Sequence, residues 1–466
     1  IGCFYVESPA MRMLLTKLKA HDYLRLVAAS SIIRPGVAKS GMMREYILRF
    51  QDVNRRQQAR DRLPELYDIL EETFGVMVYQ EDVLKVAHFF GGLTLAEADV
   101  LRRGMNWKYM QRTEFTSVKA KFLSNCYQKG YSEQVVSEIW NQIESFANFA
   151  FAKGHSASYA VESYQALFLK AYYPLEYMVA TTNNGGGFYR EELYLHEAVM
   201  CGAELKPPCV NKSDGNNSIR GTTIHIGLSN IAGIESDSVQ SILTERHHRG
   251  LFKGLRDFVS RVPLSLEQLI LLIRVGAFQF TGLSVKQLLW DAHFIAHKTK
   301  PTKGTLRMFE VSAKTYTLPE LPDHPLEIAY HELELLGFPL ISPFKLLKNQ
   351  VTNPMLAGHL PFKINQQVDI VAYLVNRKPS KTANGQVMYF GTWLDQAGVW
   401  VDTVHFPHNA RLYPFTGPGC YELRGWVREE FGFICIEVQY MKRLETKNLD
   451  DLHLEEHLEL SLYQGG

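Results

Sequence analysis

The hydrophobic period of this chain changes from helical to alternating past its middle, and one packed layer cannot accommodate both patterns. Five short alternating runs occupy residues 368–375, 387–394, 399–406, 421–428 and 433–441, with Asn384-Gly385 marking a turn between the first two. Five such strands in about eighty residues suit a small closed barrel. Residues 1 to about 175 instead read as mainly helical. Thr94 with Glu97 fits a capping box after the Gly91-Gly92 break and starts a helix whose last turn carries Arg102 and Arg103. A second helix follows Phe151-Ala152-Lys153-Gly154-His155-Ser156, with Tyr164, Leu167, Phe168 and Ala171 on one face and Pro174 ending it. Lys153 and His155 at its start would add charge and donors to the N–H groups of a helix N-terminus, an anion site suited to polyphosphate.

From about 176 to 300 the pattern stays helical, changes composition after Asn183-Asn184-Gly185-Gly186-Gly187, and is interrupted by a short β segment around 223–228. A proline-punctuated connector follows, with Lys300-Pro301-Thr302-Lys303-Gly304, Met308-Phe309 and Leu318-Pro319-Glu320-Leu321-Pro322. The expected division is 1–175, 176–300, 301–360 for the connector, 361–445 for the barrel and 446–466 for an acidic tail.

The chain has 466 residues, 46% of them hydrophobic, and a formal net charge of +1. That length allows two to four domains, and no apolar run is long enough to span a bilayer. The near-neutral total hides a local asymmetry: between Arg102 and Lys129 seven Lys or Arg stand against one acid, Glu114, a balance that can neutralise phosphates. Six cysteines lie far apart without C-x-x-C spacing, which indicates neither a zinc site nor a disulfide framework. Reduced thiols and the absence of a signal peptide point to the cytoplasm.

Several ordered motifs then acquire a common meaning. They are Phe4-Tyr5-Val6-Glu7-Ser8, Ser31-Ile32-Ile33-Arg34-Pro35-Gly36, Ser40-Gly41-Met42, Tyr79-Gln80-Glu81-Asp82, Glu97-Ala98-Asp99-Val100-Leu101-Arg102-Arg103-Gly104-Met105, the Lys153 segment, and Lys170-Ala171-Tyr172-Tyr173-Pro174. In that order and spacing the chain resembles the fingers region of the family C replicative polymerases, the bacterial DNA polymerase III alpha subunits, and more loosely so to about Arg443. The resemblance implies a multidomain fold: helical fingers, a helix-hairpin-helix clamp-binding region, and a β-barrel of the OB-fold type. It implies template-directed DNA synthesis from deoxynucleoside triphosphates, with primer-template DNA, a sliding clamp and other holoenzyme subunits as partners and no membrane. The family's metal-binding aspartates lie in a palm upstream of the residues seen here, so Mg²⁺ is expected to be bound outside this chain, and no catalytic or metal-ligating residue is assigned within it. With Ile1 in place of an initiator Met, the chain reads as a fragment. The alternative is a non-catalytic DNA-binding or processivity module with the same hairpins and barrel.

By the same resemblance, Arg102, Arg103, Lys153 and His155 are expected to meet the triphosphate, with Tyr79 and Tyr159 lining the nucleotide pocket. Adjacent arginines cannot share one helical stripe, so one of the pair is expected to bind phosphate while the other packs or pairs with an acid. Arg34 and Lys108 are DNA-binding candidates in the fingers. In the barrel, Arg377 and Lys378, placed in the first connecting loop, join one of Tyr389, Phe390, Trp393 and Trp400 as a single-strand surface. The stretch from Gly227 to Glu235 corresponds to a DNA-binding hairpin, but it has Ala232 where a lysine is expected and Glu235 where the second glycine is expected. Thr305-Leu306-Arg307-Met308-Phe309 resembles a sliding-clamp motif with Thr305 in place of Gln. Changing both Met308 and Phe309 to Ala should abolish clamp binding; unchanged affinity in a clamp titration removes the assignment.

Overall fold

The computed structural model describes residues 1–33, 41–104, 113–145, 152–298, 322–352, 354–382 and 384–448. Arg34, Lys108, Met308, Phe309 and most of the tail lie outside them.

The helical part is built from locally encoded starts. Ser8 and Asp22 accept the backbone N–H groups of Met11 and Arg25 to open the helices Pro9–Leu18 and Tyr23–Ile32. The expected capping box is present: Glu97 accepts from the Thr94 N–H at 2.9 Å, and Thr94 Oγ1 accepts from the Glu97 N–H at 3.3 Å, opening the helix Leu95–Gly104. One core joins these helices, with Met77, Val83, Val86, Ala87, Phe90 and Phe122 fully buried.

The helix Lys153–Tyr172 forms where expected, and Pro174 starts the next one, Pro174–Asn183. Its packing face is not the apolar one. Ser156, Ala160, Ser163 and Ala166 are buried, whereas Tyr164 and Phe168 are 55% and 53% exposed. The reason is close approach. The partner helix Tyr23–Ile32 presents Ala28, Ala29, Ser30 and Ser31, and the Ser31 and Ser156 hydroxyls meet at 2.5 Å. Small side chains let the backbones come together, and the large ones are left outside.

The middle region holds more β-structure than its sequence suggests. Strands β1 (Glu204–Lys206), β2 (Ser218–Arg220) and β3 (Thr223–His225) form a sheet in the order β1-β3-β2, parallel for β1 with β3 and antiparallel for β2 with β3. Three-residue strands are too short for alternation to show. The helices Ser236–Arg249, Leu255–Arg261, Leu266–Arg274 and Val285–Lys298 then enclose a second core around Ile242, Phe252, Phe258, Leu272 and Phe278.

The barrel comprises β4 (Gln367–Lys381), β5 (Val387–Leu394), β6 (Trp400–His405), β7 (Cys420–Glu430) and β8 (Phe433–Arg443). It closes in the order β4-β5-β6-β8-β7, with β6 parallel to β8, β7 antiparallel to β4, and the helix Pro407–Leu412 between β6 and β7. This is the OB-fold arrangement. Fully buried Trp393 fills its centre, stacked on Phe415 at 5.8 Å and donating to Thr403 Oγ1 at 2.7 Å. The barrel rests on the helical part through Arg12 and Asp402 at 3.2 Å, through Lys17 and Glu430, and through the Trp400 ring, which lies 5.5 Å from the Arg12 guanidinium and 5.8 Å from the Tyr189 ring.

His405 lies inside the barrel at 1% exposure with Nε2 2.8 Å from Thr403 Oγ1, and burial holds its imidazole down to about 3. The folded barrel therefore keeps this group neutral, while the unfolded chain protonates it below its ordinary value of 6.5. Unfolding takes up a proton in that window, so stability should fall as pH drops from 6.5 towards 3, by a few kcal/mol on the order of 1.4 per pH unit. Denaturation followed by tryptophan fluorescence at stepped pH should show this acid loss, and His405→Gln should flatten it.

Candidate nucleotide and nucleic-acid interface

The start of the helix Lys153–Tyr172 is already occupied by carboxylates of the chain itself. The Lys153 N–H donates to both oxygens of Glu81, at 3.1 and 2.9 Å, and Lys153 Nζ lies 2.5 Å from Glu72. The same ammonium sits 5.4 Å from the centre of the Tyr79 ring. Tyr79 is 1% exposed, and burial drives its phenol well above its ordinary range. Its hydroxyl has no hydrogen-bond partner among the described residues. Tyr79 is thus a core residue in this structure rather than an open stacking face. The neighbouring carboxylate of Asp82 fixes the turn by accepting from the Val78 and Tyr79 N–H groups at 2.8 and 2.9 Å, and burial raises its pKa.

One turn along the long helix, exposed His155 packs on Tyr159 with ring centres 4.2 Å apart. Tyr159 in turn meets Phe4 at 5.4 Å and Tyr5 at 5.1 Å. The side chains of His155 and Tyr159 thus join the N-terminal loop, where Tyr5 has a φ of 64° and its hydroxyl donates to the Ser30 carbonyl. That loop is held by Glu7, a buried carboxylate that accepts from the Gly2 N–H at 2.7 Å, the Phe188 N–H at 2.6 Å and the Tyr194 hydroxyl at 2.9 Å. Gly187 is required there, because a Cβ would lie 2.4 Å from the Glu7 oxygen.

Arg102 and Arg103 are both turned to Asp99, at 2.8 and 2.9 Å. Where one arginine is expected to take phosphate and the other to pack or pair with an acid, both instead pair with the same acid: offsets of three and four residues both reach one carboxylate, which divides its two oxygens between them. Nearby Glu97 is pulled down to about 2 by the Lys121 ammonium and the Thr94 cap. The helix Gln80–Lys85, which carries Glu81, packs on the helix Leu95–Gly104, so the Lys153 end and the arginine helix share one neighbour.

In the barrel, Arg377 and Lys378 are strand residues rather than loop residues, since β4 continues to Lys381 with Arg377 opposite Gly391 and Lys378 opposite Phe390. Consecutive strand residues face opposite sides. The Arg377 guanidinium lies 5.5 Å from the Phe415 ring and 6.0 Å from Tyr389. Trp393 is core and Trp400 is engaged by Arg12 and Tyr189, which leaves half-buried Tyr389 and Phe390 from the expected aromatics. Sequence reasoning missed the outer wall of β7 and β8, where Arg428 lies over Trp426 and Arg424 over Tyr440. The alternation Arg424, Trp426, Arg428 was the available signal.

The hairpin from Gly227 to Glu235 uses most of its backbone donors internally, the Gly233 N–H excepted among the described residues. The Ala232 N–H goes to the Leu335 carbonyl at 2.7 Å, Ile234 to Ile231 at 3.1 Å, and Glu235 to Gln268 Oε1 at 2.8 Å. Among the described residues no three His, Cys, Asp or Glu side chains converge to hold a metal ion, and no helix is long and apolar enough to cross a membrane.

Residues 1–130, which carry Glu7, Tyr79 and the arginine helix, match the family described as the bacterial DNA polymerase III alpha subunit finger domain. This part of the chain is similar to such a finger domain. Residues 202–288 match a helix-hairpin-helix motif, so the middle region keeps that fold although most of its hairpin donors are used. Around the finger domain, the chain is similar to the DNA polymerase III subunit alpha of Aquifex aeolicus (strain VF5), 30% identical over 455 residues, covering 96% of this chain and 37% of that protein. Against the DNA polymerase III subunit alpha of Staphylococcus aureus (strain MRSA252) it is 29% identical over 463 residues, covering 96% and 42%. The chain thus spans well under half the length of these relatives.

Replacing Glu7 by Ala would leave the Gly2 and Phe188 N–H groups and the Tyr194 hydroxyl without their acceptor. Since each stranded buried donor costs about 1–3 kcal/mol, Glu7→Ala should destabilise the helical part by several kcal/mol in a denaturant titration, whereas a surface change such as Glu162→Ala should have little effect.

Proposed function

We propose that this chain acts in DNA replication as the nucleotide-, DNA- and clamp-contacting portion of a DNA polymerase III alpha subunit. The observation that carries the reading is the finger-domain match, inside a similarity that extends across 96% of the chain to named alpha subunits. In this reading the regions 1–175, 176–300, 301–360 and 361–445 are the fingers, clamp-binding, connector and OB-fold parts, followed by the tail 446–466, and the protein works in the cytoplasm.

Arg102, Arg103, Lys153 and His155 would receive the triphosphate beside Tyr159. Their partners in the structure are Asp99 and Glu72, and exposed pairs of this kind are worth about 0–1 kcal/mol each. A triphosphate carries more charge and can displace them, so these acids hold the cations in place until nucleotide arrives. Tyr79 would support the pocket from behind through Lys153. Arg34, Lys108, Arg377 and Lys378 would meet the DNA backbone, and Met308 and Phe309 the sliding clamp.

Nucleotidyl transfer by such a subunit uses Mg²⁺ for charge stabilisation. The carboxylates here do not fit that role, because Asp99, Glu72 and Glu81 are each committed to a cation or to backbone N–H groups. The metal would be held by residues outside this chain, and what these residues do is bind and orient the nucleotide and template. The outward face of the long helix supports a cooperating domain. Val161, Tyr164, Phe168 and Tyr172 are 45–68% exposed there, an apolar surface of the kind that marks an interface.

Primer-template binding and primer extension should be measured on one sample with Mg²⁺ and all four deoxynucleotides. Salt-sensitive binding without extension is the expected result. Extension by this chain alone would mean that a carboxylate pair within it is catalytic, and no DNA binding would defeat the proposal.

A further inference from the structure

With most of its hairpin donors used internally, the helix-hairpin-helix region carries a strongly basic surface at the other end of the helix Ser236–Arg249. There His247, His248 and Arg249 are exposed, followed after the Gly250 bend by exposed Lys253 and Arg256. Two acids lie close by, Glu245 and Asp257, and both are drawn to Arg261, whose side chain is only 9% exposed. Asp257 Oδ2 is 3.2 Å from Arg261 Nη1, and Glu245 Oε2 is 3.7 Å from Arg261 Nε. Glu245 Oε2 is also shared with Arg249 Nε at 3.5 Å, and no ion pair within 4.0 Å reaches Lys253 or Arg256 among the described residues.

Arg261 also makes the turn rigid. Its guanidinium donates to the carbonyls of Glu245 and Gly250, each at 2.8 Å, and lies 4.3 Å from the ring of Phe252, which is anchored in the core at 2% exposure. The Asp257 carboxylate accepts the Lys253 N–H at 2.9 Å. The inward cation thus engages both local acids and fixes the backbone, Glu245 is shared with Arg249, and Lys253 and Arg256 stay uncompensated among the described residues. Helix-end electrostatics account for Arg249, which sits at a helix C-terminus, but not for Arg256, a cation in the first turn of the helix Leu255–Arg261 where it opposes the dipole.

We propose that this turn, through Lys253 and Arg256 with Arg249, His247 and His248 as added donors, is a DNA-backbone contact of the helix-hairpin-helix region, separate from the hairpin. The proposal rests on the DNA-binding reading above and names its site. Charge complementarity selects phosphodiesters. The occupant is a polyanion spanning several exposed side chains, bound without regard to base sequence, because the cations project from a surface turn and meet phosphates rather than base edges.

The test uses the whole chain and fluorescein-labelled duplex DNA of arbitrary sequence, with anisotropy titrations at several KCl concentrations. Lys253→Glu with Arg256→Glu should weaken binding by at least tenfold and lower the salt slope by roughly two, one unit per lost phosphate contact. Lys253→Gln with Arg256→Gln should give an intermediate loss. Circular dichroism melting should be unchanged in both, since neither side chain is buried. Wild-type affinity and slope in the charge-reversed chain would overturn the turn assignment while leaving DNA binding intact. A wild-type chain that binds no duplex would overturn the assignment together with the broader reading.

Discussion

The contact between Arg12 and Asp402 sets where the barrel stands relative to the helices, and the spatial meaning of every other surface follows from it. The two residues are 390 positions apart and meet at 3.2 Å, with the Trp400 ring against the guanidinium. Burial pushes the Asp402 carboxyl up, and Arg12 and the Thr392 hydroxyl at 3.1 Å counter that push. Such a pair adds modest net stability but makes misplacement expensive, because either partner left alone would be a charge stripped of water. It acts as a registration device. Apolar contact between Trp400 and Tyr189 supplies attraction, and the ion pair selects the one docking that satisfies both charges.

A second pattern runs through the basic surfaces. Arg102, Arg103 and Lys153 each sit against a carboxylate of the same chain, and the Lys153 N–H is covered by Glu81. Long cationic side chains lose rotamer entropy when they bind phosphate, so holding them in advance reduces that loss at the moment of binding. Around Arg261 the pattern is inverted: one buried cation engages two acids, one of them shared with Arg249, and Lys253 and Arg256 are left without an acid among the described residues.

Much of this is legible in residue order. The capping box at Thr94, the long helix bounded by Lys153 and Pro174, and all five barrel strands follow from rules that operate within a few residues. The limits of β5 match its alternating run, and the other strands differ by a few residues at their ends, where pairing with a neighbour decides how far a strand continues. That is why Arg377 and Lys378, expected in a loop, belong to β4. The strands β1 to β3 are largely invisible in the sequence because three residues carry no measurable alternation.

What the sequence determined by itself was local: element types, caps, the alternation of the barrel, and an ordered set of motifs that marks the finger domain. What only the tertiary structure decided was which side of each element faces inward and which charges cancel. The long helix shows the distinction. Its Tyr164, Leu167 and Phe168 stripe is the more hydrophobic, yet the serine and alanine side is buried, because the partner helix offers an equally small surface and the backbones can approach closely. Likewise no periodicity could show that Tyr79 lies in the core, or that Asp99 is shared by two arginines. Those outcomes depend on partners brought together by folding, and hydrophobic and Coulomb energies depend on distance in space, not on separation along the chain.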